Sequence, residues 1–178
     1  MLSVAEAARA VIERVPRVAS ERVAIDAAVG RVLVGDVVAP RALPGFDNSA
    51  MDGYAARAAD LPGTLPVVGV IAAGQLEVPA LPERAALRIF TGAPMPAGAD
   101  TVVIQEDAVR DGERVGLPAS PPGDNVRAAG EDVALGETVV AAGTRLGPWD
   151  IGILAALGFT ELAVARAPRV ALIATGDE

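Results

Sequence analysis

Leu43-Pro44-Gly45-Phe46-Asp47-Asn48-Ser49-Ala50-Met51-Asp52-Gly53-Tyr54-Ala55 is the stretch on which the reading of this chain turns. It opens on proline and glycine, the punctuation that closes one structural segment before the next begins. Within it Asp52 stands among small residues that let ligand and backbone approach closely. An Asp-Gly pair taken alone is a turn, with the carboxylate bonded to its own backbone. On the dipeptide by itself that is the better reading of Asp52.

Upstream, Val4, Ala8, Val11, Ile12 and Val15 fall on one face at helical spacing, and Pro16 ends the pattern. Ser3 and Glu6 have the spacing of a capping box, so the spacing predicts an N-terminal helix. Residues 22–39 are rich in Val and Ile and split at 26–30, which reads as two short strands or as a strand after a turn. Pro40 and Pro44 close that stretch. Downstream, residues 65–71, 87–90, 101–105 and 114–117 are short apolar runs between Gly and Pro signals, a texture that predicts a small antiparallel sheet or barrel. Asp111-Gly112 is expected as a hairpin turn.

Past Pro121-Pro122-Gly123 that texture ends; Val133, residues 138–140 and Leu146 resume short strands. A second helix is expected over 148–157, with Pro148 in its first position and Gly158 as its left-handed cap. Residues 169–174 form a continuous apolar run of the kind that fills a buried parallel strand. Thr175-Gly176-Asp177-Glu178 then reads as the loop at that strand's carboxyl end, the edge at which ligands collect in open α/β sheets.

Composition narrows the chemistry. The 178 residues contain no His and no Cys, and all 15 basic residues are Arg. Imidazole acid–base work, thiolate nucleophiles, His/Cys zinc sites and iron–sulfur clusters are therefore excluded from this stretch, as is any lysine Schiff base or phosphate-loop lysine. Carboxylate, hydroxyl, guanidinium and backbone amide remain, a set that suits a hard cation such as Mg²⁺ bridging a carboxylate to a substrate phosphate. The net charge of −8 argues against nucleic acid as a partner. No apolar run reaches the roughly 18 residues of a membrane helix, and no secretory signal opens the chain, so a soluble cytoplasmic protein is expected.

Two further clusters carry functional groups. Ile89-Phe90-Thr91-Gly92-Ala93-Pro94-Met95-Pro96 is a strand running into a Gly/Pro loop, which can aim backbone amides and one hydroxyl at an anion or can simply end the strand. Asn125-Val126-Arg127-Ala128-Ala129-Gly130-Glu131-Asp132 joins a guanidinium to two adjacent acids. Arg127 can clamp an oxyanion in a bidentate way and Asp132 can hold a metal; the plainer alternative is a surface salt bridge.

These clusters, with Asp177 and Glu178, occur in the order and approximate spacing of the molybdopterin molybdenumtransferases, and the chain resembles the amino-terminal part of that family, which includes bacterial MoeA-type proteins and the carboxyl-terminal domain of gephyrin. The resemblance implies Mg²⁺-dependent hydrolysis of adenylylated molybdopterin, with release of AMP and insertion of molybdenum from molybdate at the dithiolene. It implies catalytic roles for Asp52, Thr91, Asp132 and Glu178, substrate contacts at Ser49, Arg127 and Asp177, and metal ligation by Asp52, Asp132 and Glu178. The fold it implies is mixed α and β: an N-terminal helix and discontinuous α+β domain over 1–43 and 133–167, an inserted small β-barrel-like domain over 44–132, and the start of a truncated pterin-binding α/β domain over 168–178. A homodimer is implied, with the molybdopterin adenylyltransferase as a further candidate partner. Because family members continue well beyond Thr-Gly-Asp-Glu, the chain alone is expected to be inactive. The alternative is a non-catalytic dimeric scaffold of the gephyrin type.

Overall fold

The computed structural model describes residues 2–75 and 77–174. In chain order its elements are α1 (Val4–Arg14), β1 (Ser20–Ala24), β2 (Val37–Val38), β3 (Asn48–Ser49), β4 (Gly53–Ala56), β5 (Gly63–Ile71) and β6 (Ala86–Ile89). They continue with β7 (Thr101–Ile104), β8 (Val109–Asp111), β9 (Arg114–Leu117), β10 (Val126–Arg127), β11 (Thr138–Val140), α2 (Pro148–Ala156) and β12 (Glu161–Ala165). The chain divides into two compact units, Met1–Val38 with Thr138–Glu178, and Ala39–Glu137. The expected inserted segment, 44–132, lies inside the second of these.

In the first unit, α1 starts where its capping box places it. The Ser3 backbone N–H donates to Glu6 Oε2 at 2.7 Å and the Glu6 N–H donates back to Ser3 Oγ at 3.3 Å. These bonds, the backbone one foremost, hold the Glu6 carboxyl below its usual range. The apolar stripe of α1 is not covered by any described residue: Val11 is 62% and Ile12 73% exposed. The unit's core lies elsewhere, around Leu33, Leu146, Leu154, Leu162 and Val164. It is framed by two antiparallel pairs, β1 with β12 and β2 with β11. Helix α2 begins on Pro148, with Asp150 Oδ2 accepting from the Gly147 N–H at 2.7 Å, and ends before Gly158 at φ 90°.

The run 169–174 departs from expectation. It forms no strand, and Leu172 is 96% exposed. A buried parallel strand needs neighbouring strands and a covering layer, and none of the described strands pairs with this run. Asp177 and Glu178 lie outside the described residues.

The second unit is built on a six-stranded sheet in the order β7-β4-β6-β5-β9-β8. It is mixed, not wholly antiparallel as expected, since β5 and β6 run parallel. The connection over 72–85 has the length that a parallel crossover requires. Strand β5 pairs with β9 through Gly63 to Pro66 and with β6 from Val67 onward, with a register irregularity between Val67 and Val70. Such an irregularity bends a strand, and here it curls the sheet. The β8–β9 hairpin forms where expected, one residue out of place: Asp111 and Arg114 are the last paired residues, so the turn is Gly112-Glu113. Only Gly112 of the two has positive φ, 55°, the type II′ pattern.

Strand β4 is buried along its whole length. Its alternating side chains enter two separate cores: Ala55 joins Ile71, Leu87, Ile89 and Val102, while Tyr54 and Ala56 join Leu65, Ala86, Val103, Val115 and Leu117. This two-sided burial holds the residue before it, Asp52, on a rigid support.

Candidate functional site

Three of the sequence clusters meet in the second unit. Strand β3 pairs antiparallel with β10, opposing Asn48 to Arg127 and Ser49 to Val126. The Ala50 N–H donates to the Asn125 carbonyl at 2.9 Å, and Asp47 Oδ1 accepts from the Ala129 N–H at 2.7 Å. On the other side, the Ser49 N–H donates to the Ala93 carbonyl at 3.0 Å, the Gly92 N–H to the Ser49 carbonyl at 2.8 Å, and the Met95 N–H to the Asp47 carbonyl at 2.9 Å. The signature run is thus laced to both other clusters by main-chain hydrogen bonds, which stay in register whatever side chains surround them.

Asp52 and Thr91 form the tightest functional pair. Asp52 Oδ1 accepts two hydrogen bonds, from the Thr91 backbone N–H at 2.8 Å and from Thr91 Oγ1 at 2.7 Å. The Thr91 amide is the leading cause that holds the Asp52 carboxyl below its usual range, followed by the Thr91 hydroxyl; the Arg88 charge adds a smaller push in the same direction against the opposing effect of desolvation. Asp52 Oδ2 has no hydrogen-bond partner among the described residues, so the carboxylate is anchored by one oxygen and half-exposed. Its main chain is fixed too, because the Gln105 N–H donates to the Asp52 carbonyl at 3.0 Å.

Gly53 has a different reason for being glycine than ligand approach. A Cβ there would lie 2.2 Å from the Val103 carbonyl oxygen and 3.0 Å from Val102 Cγ1. The missing side chain lets β7 close on β4 directly beside Asp52.

Two of the residues expected as substrate contacts are engaged within the chain. Ser49 is fully buried, and its hydroxyl donates to the Met51 carbonyl at 2.6 Å, so it shapes the loop and offers no free group to a ligand. Arg127 spends its donors on its own neighbours: Nε lies 2.5 Å from Glu131 Oε1 and Nη2 2.7 Å from Asp132 Oδ2. Glu131 and then Asp132 push the guanidinium pKa further up. The plainer reading, an ion pair, describes it. This pairing also ties Asp132 to Arg127, and among the described residues no hydrogen bond or ion pair links Asp132 with Asp52. No group of three or more acid, His or Cys side chains placed to hold a metal occurs among the described residues.

Arg88 and Gln105 were absent from the candidates drawn from sequence, yet both touch the Asp52 turn. The signal was present: an arginine inside the apolar run Leu87-Arg88-Ile89-Phe90, just ahead of Thr91.

The mixed sheet of the second unit thus carries a carboxylate and a threonine hydrogen-bonded together at adjoining strand ends. Residues 2–158 match the family described as MoeA N-terminal region (domain I and II), and the chain belongs to that family. It is similar to molybdopterin molybdenumtransferase 2 of Mycobacterium tuberculosis, at 44% identity over 100% of this chain and 46% of the relative. It is also similar to the molybdopterin molybdenumtransferase of Haemophilus influenzae, at 37% identity over 100% of this chain and 45% of the relative. A crystal structure of a molybdopterin biosynthesis MoeA protein from Pyrococcus horikoshii superposes with a TM-score of 0.84 at 32% identity, covering 94% of this chain and 45% of that one. The chain spans about half the length of the curated relatives it matches. No helix among the described residues is long and apolar enough to cross a membrane.

Proposed function

We propose that this chain serves molybdenum cofactor biosynthesis as the Asp52-bearing part of a molybdopterin molybdenumtransferase, acting on adenylylated molybdopterin and molybdate with release of AMP. The observation that carries the reading is the locking of Asp52 Oδ1 by both donors of Thr91 while Oδ2 is left without a partner among the described residues. A single oriented carboxylate oxygen fits Mg²⁺, which is held through one or two carboxylates together with substrate phosphates and water. Asp52 would hold the ion, with Asp132 and Glu178 the further acids the family pattern supplies. When bound, Mg²⁺ neutralises charge on the phosphoryl oxygens. The chain's own part is to keep Asp52 ionised and aimed. Thr91 does both, since each of its hydrogen bonds favours the charged carboxylate and together they fix its rotamer.

Asp52→Asn in the full-length protein tests the reading: it keeps the size and removes the charge a cation needs. The fold is expected to survive and Mg²⁺-dependent release of AMP to be lost. Unaltered turnover by a folded variant overturns it.

The same proposal includes a homodimer. The observation favouring it is the uncovered apolar stripe of α1, where Val4, Val11, Ile12 and Val15 are all more than half exposed. A second copy would cover that stripe with the same surface, as a two-fold interface does.

A further inference from the structure

Arg88 is a charged residue in a place that does not favour charge. It sits on β6 opposite Tyr54 of β4, and its guanidinium carbon lies 5.1 Å from the Tyr54 ring centroid and 5.0 Å from that of Phe90. An apolar side chain would fill such a slot between two rings without the desolvation cost of a guanidinium. What the arginine adds is direction. Nη1 donates to the Gly53 carbonyl at 3.0 Å, and Nη2 donates to Gln105 Oε1. The backbone N–H of that same Gln105 donates to the Asp52 carbonyl at 3.0 Å. The two carbonyls that follow the Asp52 Cα and the Gly53 Cα are therefore both tied to one guanidinium, one directly and one through Gln105.

We propose that Arg88 is a positioning residue for Asp52: wedged between Tyr54 and Phe90, its planar fork fixes the Asp52 and Gly53 carbonyls so that the Asp52 carboxylate meets both donors of Thr91. Lysine substitutes for it only in part, because a single ammonium is a point charge without the planar fork that reaches two acceptors and stacks on rings. The effect on turnover rests on the function proposed above; the effect on Asp52 does not.

The test therefore has two readouts. In the 178-residue chain, hydrogen exchange of the Thr91 amide reports the bond to Asp52, and the Val103 amide on β7 reports the fold. Arg88→Met is expected to speed Thr91 exchange by about 10-fold with Val103 unchanged, and Arg88→Lys by roughly 3-fold. Gln105→Met, which removes the acceptor for Arg88 together with the exposed Nε2 donor to Glu106 and keeps the Gln105 N–H, is expected to give a rise of about 2- to 3-fold and serves if Arg88→Met fails to fold. Unchanged Thr91 exchange in folded Arg88→Met, or in Gln105→Met where that variant serves, overturns the proposal. In the full-length enzyme, kcat for AMP release is expected to fall about 10- to 100-fold in Arg88→Met with KM within about 2-fold, Lys restoring part of it. Faster Thr91 exchange with AMP release untouched in both Asp52→Asn and Arg88→Met upholds the positioning and overturns the proposed chemistry. Loss of AMP release in Asp52→Asn alone, with Thr91 exchange unmoved in Arg88→Met, does the reverse.

Discussion

Replacing Gly53 by alanine adds one methyl group at the most crowded point of the β4–β7 pair. Its Cβ would sit 2.2 Å from the Val103 carbonyl oxygen, 2.9 Å from the carbonyl carbon and 3.0 Å from Val102 Cγ1. A carbon–oxygen contact settles at about 3.3 Å or more, so the two backbones must part by roughly 1 Å. β4 is an inner strand, and β7, at the sheet's edge, is held on its outer side by the Val102 N–H donating to the Asp124 carbonyl at 2.9 Å, so neither backbone can swing away as a side chain would. The β4–β7 ladder runs from Gly53↔Ile104 to Ala56↔Thr101, and parting the strands at Gly53 breaks into the adjoining hydrogen bond from the Gln105 N–H to the Asp52 carbonyl as well as creating overpacking. Overpacking costs about 1 to 3 kcal/mol and a lost buried hydrogen bond about 1 to 3 more, giving roughly 2 to 6 kcal/mol. For a chain of this size that corresponds to a fall in Tm on the order of 10 °C. Tyr54 is the single tyrosine and lies in the core of this unit, so its near-UV dichroism during urea unfolding follows the loss directly. Gly112→Ala is the control. That glycine has φ 55° with open space around it, so only the left-handed backbone is penalised, at about 1 to 2 kcal/mol. A Gly53→Ala change of less than 1 kcal/mol, or one no larger than that of Gly112→Ala, would refute the close-approach argument.

Thr91→Val keeps the backbone N–H on Asp52 and deletes the hydroxyl; AMP release in the full-length protein is expected to slow by about 5- to 150-fold, and an unchanged rate would make Thr91 a simple strand terminator. The same variant carries a pH signature. The folded Asp52 carboxyl is held below its usual range, so the stability it contributes is present above the ordinary aspartate value and is lost as pH falls through the lower folded one. The urea midpoint of Thr91→Val should therefore trail the wild type at neutral pH and converge with it in acid; a gap of constant size would show that Thr91 acts by packing alone. Ile12→Glu alters an exposed residue on α1 and should leave the thermal midpoint within about 2 °C. Light scattering should find the wild-type chain as a dimer and this variant as a monomer, and a monomeric wild type would overturn the proposed assembly.

The legible parts of the fold were those with strong local signals. The capping box and apolar spacing marked α1, Pro148 and Gly158 bracketed α2, and the Val- and Ile-rich runs marked β5, β6, β7 and β9. Strand β4 was not legible as a strand because Gly-Tyr-Ala-Ala has little β propensity; it is a strand because neighbours on both sides and both faces make it one. Strands β3 and β10 are two residues each and exist only through each other, a pairing across the whole unit that no local pattern announces. At the site, Asp52 and Thr91 stand out in the sequence as separate candidates, and the structure places them in contact. Ser49 and Arg127 have intramolecular partners that the sequence does not announce, for a common reason. Residue type says what a side chain can bind but not which intramolecular partner has already taken it.

The second unit is also tied off at its own base. The Ala39 N–H donates to the Glu137 carbonyl at 2.8 Å, and the Gly136 N–H donates back to the Ala39 carbonyl at 3.0 Å. Once these ends meet, the intervening hundred or so residues behave, for the rest of the chain, as a short closed hairpin. The entropy of bringing residue 38 to residue 138 then depends on a few links instead of on the full contour. During synthesis this sets an order. The unit ending at Glu137 can complete itself on the emerging polypeptide before the strand that β2 awaits is made, so the split first unit closes last.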